Sequence, residues 1–180
     1  MKIFNKIFGI GLPKTGTTSL MFALRDLGLY TNVLKSEESY DLIRKGQFKL
    51  PELDQLQSSN DCPISTFFEE FDRAYPGSLF IWTIREKQDW LASCEKHWGK
   101  YSKSNINHRR TFNRIALFGI VDFNPDRFEV VYDSHKKRVE SYFDSKDNFL
   151  KMNVKDGWET LCSFLDIEEP SIPFPWKNKA

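Results

Sequence analysis

Between Phe8 and Leu20 the chain reads Phe-Gly-Ile-Gly-Leu-Pro-Lys-Thr-Gly-Thr-Thr-Ser-Leu, a run of glycines and hydroxyls suited to holding a phosphate. Gly11 and Gly16 have the spacing of the loop G-x-x-x-x-G-K-[ST], and Thr18 falls where that loop carries its magnesium-binding hydroxyl. The lysine does not fit. Thr17 occupies its position, and Lys14 stands three residues earlier. Main-chain N–H groups around Gly16, at the start of a helix, would meet an anion together with the helix dipole. Thr15, Thr17, Thr18 and Ser19 add four hydroxyls able to donate to phosphate oxygens. In a triphosphate enzyme the lysine after the second glycine neutralises the β and γ phosphates, so its absence argues against phosphoryl transfer from ATP or GTP. A lysine before that glycine reaches over the loop instead, toward a group reacting beside one cradled phosphate. A chance glycine turn is the bland alternative. Gly9-x-Gly11 also begins a dinucleotide fingerprint, but Lys14 takes the third glycine's place and no acid stands about 20 residues on.

The elements around this loop have the order it needs. Lys6 to Leu12 is a short apolar run, read as a buried strand. Thr17 to Leu27 has apolar residues at helical spacing, with Gly28 as its stop. From Tyr30 to Asn60 the pattern is weak, with possible helices over 36–45 and 51–57. Helices are expected over 67–75 and 87–98, a strand over 79–84, a long helix opened by Asn124-Pro125, a strand over 149–154 and a helix over 158–165. The polar stretch 99–107 reads as mobile, and the proline-rich end as extended. Strands alternating with helices predict a parallel sheet covered on both faces, with ligands beyond the C-terminal strand ends. Lys14 and Arg85 would both lie on that edge.

A chain of 180 residues is enough for one domain, expected over 1–180. Twenty-six basic against twenty-five acidic residues leave a net charge of +1, without the basic excess of a nucleic-acid binder. Cys62, Cys94 and Cys162 form no C-x-x-C pair, which argues against a disulfide framework or zinc site and fits a reducing compartment. No stretch reaches the about 18 apolar residues of a membrane span, and a cytoplasmic protein is expected.

Residues 11–19, Gly-Leu-Pro-Lys-Thr-Gly-Thr-Thr-Ser, resemble the phosphosulfate-binding loop of the sulfotransferases that use 3′-phosphoadenosine-5′-phosphosulfate (PAPS). The resemblance implies a second motif, an arginine ending a strand and a serine eight residues later, which hold the 3′-phosphate. Arg85 and Ser93 meet it. The fork of a guanidinium grips phosphate through two parallel bonds, and the serine adds a donor. Asn60-Asp61-Cys62-Pro63 resembles a family segment ahead of that motif. Tyr132, His135, Val139, Tyr142 and Phe143 resemble a helix of small, mostly bacterial members, as do Asp156 to Leu165 and the Pro-Phe-Pro-Trp-Lys-Asn ending. The glycine-rich C-terminal phosphate clamp of the animal cytosolic enzymes is absent.

The resemblance implies a three-layer α/β/α P-loop fold, like that of the nucleoside-triphosphate hydrolases, with a central, mostly parallel sheet. It implies transfer of a sulfuryl group from PAPS to a hydroxyl or amine, releasing 3′,5′-adenosine bisphosphate (PAP) without a metal. Pro13, Lys14, Thr15, Gly16, Thr17, Thr18, Ser19, Arg85 and Ser93 are the expected nucleotide contacts. Lys14 would stabilise the leaving bridge oxygen by charge and hydrogen bonding. Asp61 is the candidate base, and a turn aspartate ahead of Pro63 is the other reading of it. His135, on an apolar helix face, reads as a core histidine, and His108-Arg109-Arg110 as a nucleotide contact or a solvated helix start. A small-molecule or carbohydrate acceptor would be gripped by residues 30–60 and 99–118. The rival readings are a P-loop kinase, which would need the lysine after Gly16, and a non-catalytic nucleotide-binding homologue. Oligomeric state is not written in the chain.

Overall fold

The computed structural model describes residues 2–99 and 106–177, so most of the polar stretch 99–107 and the last residues of the tail lie outside it. The chain divides into two compact units, residues 1–84 with 148–180, and residues 85–147.

The first unit is built on five strands: β1 (Ile7–Gly9), β2 (Thr31–Asn32), β3 (Ser58–Asn60), β4 (Leu79–Ile84) and β5 (Phe149–Asn153). Their order is β2-β3-β1-β4-β5, and every pair is parallel. The helices of this unit are α1 (Thr17–Asp26), α2 (Glu37–Arg44), α3 (Pro51–Asp54), α4 (Phe68–Ala74) and, last in the chain, α8 (Gly157–Leu165). Side chains alternate across a strand, and the sheet uses both faces. Ile7 and Ile81 join Leu20 and Leu24 of α1 and Trp158 and Leu161 of α8 in one core. Phe8 and Phe80 turn the other way, with Phe8 5.5 Å from Phe71 of α4 and 5.7 Å from Tyr75. The expected parallel sheet between helical layers is therefore the observed one.

The second unit holds α5 (Lys87–Trp98), α6 (His108–Phe118) and α7 (Pro125–Phe143). Its centre is aromatic. Phe128 stacks on Phe118 at 4.0 Å, with Trp98 edge-on at 5.1 Å and Trp90 at 5.9 Å. Pro125 stands in the first turn of α7 and the Asn124 side chain accepts from Arg127 N, as a helix start built on Asn-Pro should. Phe128, Val131, His135, Val139 and Phe143 form the buried face of α7, so His135 is a core residue.

Two strands and a helix had no clear signal. β3 is Ser-Ser-Asn, fully buried between β2 and β1. An interior parallel strand normally reads as an apolar run, and this one does not. β2 is only two residues long. In α6 the start at His108 was visible, capped by Asn107 accepting from Arg110 N, but the full helix to Phe118 was not.

Candidate active site

The loop leaves the C-terminal end of β1 and closes on itself at once. Thr15 N–H donates to the Leu12 carbonyl at 3.2 Å and the Thr15 hydroxyl donates to the same oxygen at 2.7 Å. Leu12-Pro13-Lys14-Thr15 is thus a turn with proline second and Lys14 third, and Lys14 has φ 76. That third place, at positive φ, normally belongs to glycine or asparagine. A lysine there carries backbone strain of about 1–2 kcal/mol, which the two hydrogen bonds from Thr15 to the Leu12 carbonyl must hold. Thr15 Oγ1 also lies 2.8 Å from Thr83 Oγ1 at the end of β4. Gly11 has no room for a side chain, because a Cβ there would collide with Thr83 Oγ1.

Gly16 starts α1 with φ 108 and no side-chain cap. A Cβ on it would come within 2.5 Å of Val154 Cγ1, in the turn after β5. α2, α6 and α7 spend a side chain on their first turn, whereas α1, like α3, α4, α5 and α8, starts without a side-chain cap, and its first N–H groups have no intrahelical acceptor. A helix start of this kind can receive an anion.

The four hydroxyls have separate surroundings. Thr15 is buried and bonded to Leu12 and Thr83. Thr17 Oγ1 lies 3.4 Å from Asp61 Oδ2. Thr18 is partly exposed. Ser19 is buried, and its Oγ accepts from Lys177 N at 3.0 Å, so the tail crosses the first turn of α1. The tail is pinned further back by Trp158 Nε1, which donates to the Ile172 carbonyl at 2.7 Å, and by Phe174 on the Trp158 ring at 4.9 Å.

Asp61 follows β3 directly, again at positive φ, 68. Its Oδ1 accepts from Cys62 N at 2.8 Å. Burial raises its pKa above the ordinary carboxylate range, against the opposing pull of the Cys62 N–H, the Thr17 hydroxyl and the Lys14 charge. Lys14, Thr17 and Asp61 therefore form one electrostatic group, although Asp61 is 44 residues from Thr17 in the chain. Beneath it Asn60 Nδ2 donates to the Thr17 carbonyl at 2.6 Å, and Gly9 is bare because Asn60 fills the place its Cβ would need. Cys62 is buried against Ser65, and burial followed by the Asp61 charge pushes its thiol up to about 12.

In the second unit, Arg85 is partly exposed and Ser93 is buried two turns into α5. The Tyr132 hydroxyl donates to the Arg85 carbonyl at 2.7 Å, so this α7 residue anchors the main chain at Arg85. Thr83 and Val154 are neighbours of the loop that no motif announced. Each becomes visible only when its strand end is placed beside the loop. Among the described residues, His, Cys, Asp and Glu nowhere gather in a metal-binding group of three, and no helix is long and apolar enough to cross a membrane.

A curated protein of Aspergillus versicolor, Ava biosynthesis cluster protein M, is 27% identical over 94% of this chain and 79% of its own length. A sulfotransferase from Alicyclobacillus acidocaldarius superposes with a TM-score of 0.59 at 13% identity, over 100% of this chain and 87% of that one. Sulfotransferase STF9 from Mycobacterium avium gives 0.52 at 13% identity, over 95% and 66%. At those identities the structures speak for the fold alone, which is that of the P-loop sulfotransferases. The sequence profile of the sulfotransferase domain matches residues 6–180. With nearly the whole chain covered, the protein belongs to the sulfotransferase domain family.

Proposed function

We propose that this chain acts as a single enzyme domain over 1–180, moving a sulfuryl group from PAPS to a hydroxyl or amine of a small-molecule or carbohydrate acceptor and releasing PAP. The observation that carries the reading is Lys14, held at φ 76 in a closed turn two residues ahead of an uncapped helix start, with Asp61 in its electrostatic reach. The N–H groups from Gly16 to Thr18, with Pro13 and the hydroxyls of Thr15, Thr17, Thr18 and Ser19 lining or bracing the loop, take the 5′-phosphate. Arg85 and Ser93 take the 3′-phosphate. The acceptor oxygen or nitrogen attacks sulfur in line as the bond to the bridging oxygen breaks, and the electron pair of that bond goes to the bridge. Lys14 stabilises the charge that builds there. Asp61 takes the acceptor's proton, for which a carboxyl with a raised pKa is better matched than an ordinary one. No metal is needed, because Lys14 supplies the positive charge at the reacting edge. Balanced charge and three free cysteines support a cytoplasmic enzyme without a nucleic-acid partner.

The test is turnover of labelled PAPS across a screen of phenols, sugars and amines. Lys14→Ala should lower turnover by about 100-fold or more, the loss seen when a charge-stabilising donor is removed from an active site, while the melting temperature stays near that of the parent. Wild-type turnover in Lys14→Ala would overturn the assignment.

A further inference from the structure

We propose that Thr83 is a positioning residue for Lys14, acting through a buried relay of hydroxyls. This rests on the reading of Lys14 above.

The proton count sets the direction of the relay. A threonine hydroxyl has one proton. Thr15 spends its proton on the Leu12 carbonyl at 2.7 Å, so in the 2.8 Å contact between the two hydroxyls Thr15 is the acceptor and Thr83 the donor. The chain runs from Thr83 O–H to Thr15 Oγ1 and from Thr15 O–H to Leu12 O. Both side chains are buried, Thr83 at 0% exposure and Thr15 at 4%, so water does not replace a lost donor cheaply.

What this relay holds is the turn that carries Lys14. The carbonyl of its first residue, Leu12, accepts both the N–H and the O–H of its fourth, Thr15, and Lys14 between them has the strained φ of 76. A positive-φ lysine relaxes to ordinary backbone once its turn loosens, and the direction in which its side chain leaves the main chain would then change. Thr83 is on the neighbouring strand, where the register of β1 with β4 pairs Gly9 with Ile81 and so brings Thr83 level with Gly11. Gly11 lacks the side chain that would block this approach. Gly11, the first glycine of the loop, and Thr83 are two halves of one contact, which ties the lysine to the sheet rather than to the loop alone.

Turnover is read as labelled sulfate released from PAPS to water, which needs no other acceptor. Thr83→Val keeps the shape and removes the donor. It should lower this rate about tenfold while PAP affinity, measured by calorimetry, stays within twofold. Thr83→Ser should restore the rate, and Thr83→Ala should match Thr83→Val. In a Lys14→Arg background, where the charge is kept but displaced, adding Thr83→Val should cost less than twofold. The relay is wrong if Thr83→Val and Thr83→Ala hydrolyse PAPS at the parent rate while Lys14→Ala is inactive. It is equally wrong if the loss is as large in the Lys14→Arg background, or if it follows PAP affinity. Full activity in Lys14→Ala, or no release by the parent protein, would instead remove the reading of Lys14 and this proposal with it.

Discussion

At the scale of single residues, two positions outside glycine adopt left-handed backbone beside the loop, Lys14 and Asp61. Both are strained by the same rule and both carry the charges proposed to do the chemistry, a pattern found where surrounding structure holds a functional side chain against its preference. Asp61→Asn separates chemistry from strain, since asparagine tolerates this conformation best. The folded Asp61 carboxyl has a pKa above its ordinary value of 3.8, so the folded state binds its proton more tightly. Its contribution to stability is full below the unfolded value and is lost as pH rises through the folded one. Asp61→Asn should therefore melt higher than the parent at pH 7, and the gap should close as pH falls below about 4. Each kcal/mol of relief should raise the midpoint by about 2–4 °C for a chain of this size. Its pH–rate profile should lose the acidic limb, and an unchanged profile would remove Asp61 as the base. Gly16 is constrained twice, by φ 108 and by Val154. Gly16→Ala should cost about 1–3 kcal/mol in urea unfolding, and Val154→Ala should return the steric part of that loss but not the part due to φ.

Elements follow the same logic with different legibility. The loop, α1 and its Gly28 stop could be read directly, because Gly28 has φ 81 and its N–H closes on the Arg25 carbonyl. β4 and α5 were equally plain, one as an apolar run and the other by its helical spacing. β3 was not readable, because its burial comes from neighbours on both sides rather than from its own composition. Three of its side-chain oxygens, Ser58 Oγ, Ser59 Oγ and Asn60 Oδ1, are buried without a hydrogen-bond partner. The end of the strand delivers Asn60 under α1 and Asp61 beside Thr17. Between β2 and β3 the weak pattern hides a local clasp: Glu52 accepts from Lys35 N, Ser36 N and the Ser39 hydroxyl, tying the start of α2 to α3. The tail behaves likewise. Ser19→Ala removes the acceptor of Lys177 N–H and should cost about 0.5–1.5 kcal/mol. Amide exchange in the tail peptide should rise well before the sheet opens, and exchange equal to the parent's would mean that the Ser19 contact does not hold the tail.

For the whole molecule, the two compact units have different cores, an aliphatic and phenylalanine-lined sheet in one and a tryptophan–phenylalanine stack in the other. Trp90 is fully buried in the second, and Trp90→Ala should destabilise it by about 3–5 kcal/mol. If Arg85 and Ser93 complete the nucleotide site, that variant should also lose PAP affinity, although it leaves the loop of the first unit untouched. Binding of PAP without magnesium should raise the melting temperature of the parent, by an amount set by ligand concentration over Kd. A shift that required magnesium and ATP would favour the kinase reading instead. Sequence alone determined the features that depend on local order: the strand–loop–helix unit, the displaced lysine, the arginine–serine spacing and the alternation that makes a parallel sheet. Glycine spacing, capping and apolar period are properties of neighbouring residues, so they survive without a fold. Only tertiary structure decided that Asp61 meets Thr17 and Lys14, that Thr83 locks the lysine turn, and that Val154 and Asn60 forbid side chains on Gly16 and Gly9. Those contacts join residues 44 to 138 positions apart, and no periodicity in a chain records which strand ends its fold will bring together.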